Sequence, residues 1–92
     1  MSAEGAARIR ARLVQILSPQ HLEIHDDSAA HVGHAGAAHG GHYRVDIVAA
    51  AFNGRTTRER HRAVYEALGE LMTTDVHALS IRALAPGEQI RG

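Results

Sequence analysis

The chain has 92 residues, 45% of them hydrophobic and 22% charged, and its ten basic and ten acidic side chains cancel to a formal charge of zero. That length allows one domain with a small core, and the neutral balance argues against a general-purpose nucleic-acid binder, which carries a basic excess. With no cysteine, disulfides, all-cysteine zinc sites and a thiol nucleophile are excluded, and a cytoplasmic location is expected. Histidine is the outlier in composition, with eight residues.

The N-terminal stretch scatters arginines and a glutamate among apolar residues, so neither a signal peptide nor a membrane span is expected. Ala6, Ile9, Leu13, Ile16 and Leu17 recur at helical spacing between Arg8, Arg10, Arg12 and Gln15. The pattern predicts an amphipathic helix over about residues 3–17, ended by Ser18-Pro19. His21 to Asp26 alternates, with Leu22 and Ile24 on one face and His21, Glu23 and His25 on the other. A second alternation begins at Tyr43 and runs to Ala49, with Tyr43, Val45 and Ile47 aligned. Both read as half-buried strands. Between them, residues 28–41 are almost entirely Ala, Gly and His, which offers nothing to anchor a core and reads as a long flexible loop.

Phe52-Asn53-Gly54 predicts a turn, with Gly54 free to adopt positive φ. Thr56 or Thr57 then caps a helix, and Thr56 with Glu59 has capping-box spacing. His61, Val64, Tyr65, Leu68, Leu71 and Met72 make its apolar face. Residues 76–84 form the last strand, with His77 on the parity of Leu79, Ile81 and Ala83, and Pro86-Gly87 opens a short frayed tail within residues 85–92. The order is α-β-β-α-β. It predicts an α+β fold over residues 1–92: a three-stranded mixed sheet, a hairpin followed by a right-handed crossover, with both helices packed on one face.

The chemistry-bearing residues each admit two readings. His31 and His34, and His39 and His42, form two H-x-x-H pairs; such spacing lets both imidazoles reach one ion, and it also suits a solvated low-complexity loop. His77 reads from periodicity as a half-buried strand histidine satisfied by a backbone carbonyl. His61 reads as structural, hydrogen-bonded to the turn before its helix. Arg55, Arg58, Arg60 and Arg62 form a basic run in which Arg58 and Arg62 are helical neighbours. They suit a solvated helix face, phosphate contacts or docking to an acidic partner. No nucleophile, base and orienting group combine, so an enzyme is not expected.

Residues 52–68, FNGRTTRERHRAVYEAL, followed by VHALSI at 76–81, resemble the BolA family, which carries an F-x-G turn, an R-H-R helix start and a strand opening with H-A-L. Asp26-Asp27-Ser28, the His- and Gly-bearing loop and His42-Tyr43-Arg44-Val45 extend the resemblance to about residues 6–84. It implies a class II KH-like fold and a role in iron–sulfur and iron handling, as an adaptor that pairs with a monothiol glutaredoxin in a heterodimer and co-ligates a [2Fe–2S] cluster. The resemblance puts the C-terminal ligand at His77 and the loop ligand at His31, with His34 second, and matches His42 to a frequent family histidine. Some members are described as DNA-binding transcription regulators, a role the Arg55–Arg62 run would serve here; the single glycine of its turn departs from the G-x-x-G of RNA-binding KH folds. Without cysteine, this chain can supply only half of an iron–sulfur ligand set, so in isolation it is expected to carry no cofactor.

Overall fold

The computed structural model describes residues 2–27 and 41–88. Its elements are helix α1 (Ser2–Leu17), strands β1 (His21–Asp26) and β2 (Gly41–Val48), a short 3-10 turn (Ala50–Phe52), helices α2 (Thr57–Leu68) and α3 (Leu71–Thr74), and strand β3 (Val76–Leu84). The three strands lie in the order β1-β2-β3, with β1 antiparallel and β3 parallel to β2. The α+β class, the antiparallel pairing of β1 with β2 and the parallel pairing of β2 with β3 stand as the sequence predicts.

The core forms where the helical stripes meet one face of the sheet. Ile9 and Leu13 of α1, Val45 and Ile47 of β2, Phe52, and Val64 and Leu68 of α2 are fully buried and pack in one cluster. Each side chain of this kind stabilises the fold by about 1.5–3 kcal/mol when removed from water. Leu22, Ile24, Leu79 and Ile81 pack at its margin from the outer strands. Alternation along the strands leaves the opposite face of the sheet polar, carrying His21, Glu23 and His25 from β1, His42, Arg44 and Asp46 from β2, and Ser80 and Arg82 from β3.

Local signals decide the ends of the helices. Ser18 takes φ 46 at the close of α1, before Pro19. Thr56 and Glu59 form the expected capping box, with the Thr56 hydroxyl accepting from the Glu59 amide at 3.1 Å and the Glu59 carboxylate accepting from the Thr56 amide at 2.8 Å. Gly54 adopts φ 71 in the turn. At the other end of α2, Gly69 takes φ 53, and Arg12 of α1 donates to the Leu68 carbonyl at 3.3 Å, placing a cation at the helix C-terminus.

Four expectations change. The helix predicted to run through Met72 stops at Gly69, and α3 follows as a separate turn. Within α2 the buried stripe is Val64, Ala67 and Leu68, while Tyr65 is 42% exposed. In α1, Ile16 is exposed at 56%, because the stripe that meets the sheet runs through Ile9 and Leu13. Gly41, assigned to the loop, is the first residue of β2; the remainder of that loop, residues 28–40, lies outside the described residues.

Candidate metal centre

The first turn of β2 and the start of β3 meet at an irregularity in the ladder. Gly41 pairs with Val76 but His42 pairs with Ala78, so His77 is the extra residue of a bulge between Gly41 and His42. The bulge takes His77 out of the parity that the sequence suggests. It is exposed, not half-buried beside Leu79 and Ile81. Its imidazole instead lies against that of His42, with ring centroids 4.9 Å apart and planes tilted by 44°.

The backbone around this pair is held from both sides. The Asp27 amide donates to the His42 carbonyl at 2.7 Å, and the Gly41 amide donates to the Asp75 carbonyl at 3.0 Å. On the core side, the buried Tyr43 ring lies over Gly41, where a Cβ would approach the ring to 2.6 Å. Asp75 is in turn clamped by Arg8 of α1, whose Nε donates to it at 2.6 Å, and by the Thr74 hydroxyl at 2.6 Å. These partners hold the Asp75 carboxyl below its ordinary range, the Thr74 hydrogen bond most strongly. Burial, reinforced by Asp26 and Asp75, pushes the Tyr43 hydroxyl above the usual tyrosine range. The histidine pair thus sits on a stiff support, an arrangement suited to a metal-ligating pair.

Of the four histidines singled out as metal ligands, the structure brings together His42 and His77. His31 and His34 lie outside the described residues, as does His39. His61 is half-buried and its imidazole makes no hydrogen bond among the described residues, so it does not hold the turn as expected. It lines a surface depression of about 720 Å³ with Thr57, Arg58, Glu59, Arg62 and Tyr65.

The basic run is divided. Arg60 is drawn inward, 11% exposed, and pairs with both Glu88 oxygens at 2.7 and 3.0 Å while donating to the carbonyls of Ala83 and Arg55. That side chain is structural. It also fixes the tail as far as Glu88, which the sequence reads as frayed. Arg55, Arg58 and Arg62 stay exposed, and Arg62 lies 3.6 Å from Glu66. No helix among the described residues is long and apolar enough to cross a membrane.

Residues 13–88 match the family model described as BolA-like protein, and the chain belongs to the BolA-like family. It is 44% identical over 82 residues to the mouse BolA-like protein 1, an alignment that covers 89% of this chain and 58% of that protein. A protein encoded in the cobS 5′ region of a Sinorhizobium species is 36% identical over 86 residues, covering 90% of this chain and 92% of the other. Among solved structures, the BolA domain of SufE1 from Arabidopsis thaliana superposes with a TM-score of 0.80 at 39% identity, covering 91% of this chain and 94% of that domain. The chain thus spans well under two thirds of the length of the mouse relative.

Proposed function

We propose that this protein is an iron–sulfur adaptor that binds a monothiol glutaredoxin and contributes imidazole ligands to a shared [2Fe–2S] cluster. The observation that supports this reading most is the juxtaposition of the His42 and His77 rings, 4.9 Å apart on a fixed bulge. The donor set fits half of such a site. Two neighbouring imidazoles can replace two thiolates, and a cysteine-free chain requires the remaining thiolates to come from a partner. Histidine ligates as the neutral base, so acid weakens the site. Replacing two thiolates by neutral ligands also makes the cluster less negative and raises its reduction potential relative to an all-cysteine site.

His77 is exposed and can be reached by a docking protein. A loop histidine, His31 or His34, remains the family-implied second ligand, and His42, which lies beside His77, is the competing choice. Anaerobic reconstitution of an equimolar mixture with a monothiol glutaredoxin tests the reading. It should give a coloured heterodimer on gel filtration, while the isolated chain stays colourless under the same treatment. A coloured isolated chain, or no mixed species, would count against it.

A second reading, a DNA-binding regulator, draws on the exposed Arg58 and Arg62 beside the Tyr65 ring in the depression on α2. Cations next to an open aromatic face suit a phosphate backbone with a stacked base. The loss of Arg60 to Glu88 weakens this reading relative to the first.

A further inference from the structure

On the polar face of the sheet, which also carries His42, Glu23 and His25 of β1 face Asp46 of β2. One ligand atom from each of the three lies within 4.8 Å of the others. We propose that Glu23, His25 and Asp46 form a second metal site on this face, for a single divalent transition-metal ion of the Zn2+ type.

Three observations carry the proposal. His25 Nε2 is 3.2 Å from Asp46 Oδ2, and metal–ligand bonds of about 2.1 Å put neighbouring donors about 3.0–3.4 Å apart. Glu23 is the direct cross-strand partner of Asp46, and like charges directly opposite destabilise a sheet unless something neutralises them. The remaining Asp46 oxygen, Oδ1, is buried and has no hydrogen-bond partner. A cation held between the two carboxylates would offset the like-charge contact of Glu23 with Asp46. His21 Nε2 lies 3.2 Å from Glu23 Oε1, the kind of outer contact that orients a ligating carboxylate.

The surrounding charges define the kind of ion. Arg44 is the register partner of His25, and Arg82 that of Asp46. Neither arginine forms an ion pair with Glu23 or Asp46 among the described residues. Two flanking cations disfavour a loosely held hard ion, so occupancy must come from coordinate bonds. One imidazole with two carboxylates suits Zn2+, Mn2+, Fe2+ or Co2+ over Mg2+ or Ca2+.

The test uses the full chain, labelled with 15N, in the His42→Ala/His77→Ala background that removes the other imidazole pair. Zn2+ is titrated while the ring nitrogens of His25 and the backbone amides are followed by NMR. The expected result is a stoichiometric shift of the His25 ring nitrogens that excess Mg2+ does not reverse. Glu23→Gln and Asp46→Asn should each weaken it about tenfold or more. Glu23→Gln keeps the test valid should Asp46→Asn not fold, since the Glu23 side chain is 56% exposed. Zn2+ that shifts only His31, His34 and His39, or a His25 shift untouched by both substitutions, would overturn the site.

Discussion

Arg60 grips both carboxylate oxygens of Glu88, at 2.7 and 3.0 Å, and so ties the start of α2 to the turn that follows β3. The Ala85 amide donates to the same carboxylate at 2.8 Å. Together these contacts hold the Glu88 carboxyl at about 2, against an ordinary 4.5. A carboxyl whose folded value is depressed stabilises the fold fully above its unfolded value and loses that contribution as pH falls through the folded one. Glu88→Gln should therefore lower the urea midpoint relative to the native chain above pH 5. The gap should narrow steadily as pH falls from 4.5 to 2. Urea titrations of both proteins across pH 2–7 check this; a gap independent of pH would contradict it.

Thr56 and Glu59 satisfy each other's backbone amides at the start of α2. Thr56→Ala removes the side-chain half of that box and should cost about 1 kcal/mol. For a domain this size that lowers the melting temperature by about 4–8 °C, measured by far-UV circular dichroism. The depressed Glu59 carboxyl, held mainly by the Thr56 backbone amide, should keep part of its shift in the variant.

Gly41 is small because the Tyr43 ring occupies the space its side chain would need. Gly41→Ala should destabilise the fold by about 1–3 kcal/mol through overpacking, read from chemical denaturation. It should also displace the bulge that sets His42 against His77. Gly54→Ala makes an informative contrast. Nothing lies within 4 Å of a Cβ there, so only its φ of 71 opposes the substitution.

If α2 binds DNA, three exposed arginines and not four remain for phosphate contacts. The log–log salt slope on duplex DNA is then about −2.7, where four contacts would give about −3.6. Arg58→Ala with Arg62→Ala should flatten it to about −0.9, measured by fluorescence anisotropy. A slope near −3.6 would contradict the structural assignment of Arg60.

Much of this fold is legible in the chain itself. Alternation at Leu22–Ile24 and Tyr43–Val45–Ile47, the box at Thr56–Glu59 and the period of Ile9 and Leu13 are local patterns that carry their own geometry. The departures are tertiary. The bulge that frees His77 depends on where β2 and β3 come into register, and parity counted along β3 alone cannot reveal it. Arg60 looks like its neighbours in the basic run until Glu88, 28 residues later, folds back beside it. Glu23, His25 and Asp46 lie on two strands whose pairing brings them together, and only the alternation of His21, Glu23 and His25 hinted at a polar face there.

Whether His42 and His77 hold one side of a cluster completed by a glutaredoxin is tested most directly by the visible circular dichroism of the reconstituted complex. With the native chain, cluster-bound glutaredoxin should give a spectrum distinct from that of glutaredoxin alone. In the His42→Ala/His77→Ala variant, with its melting curve unchanged, the spectrum should revert to that of glutaredoxin alone. A variant complex with the native spectrum would show that neither imidazole touches the cluster.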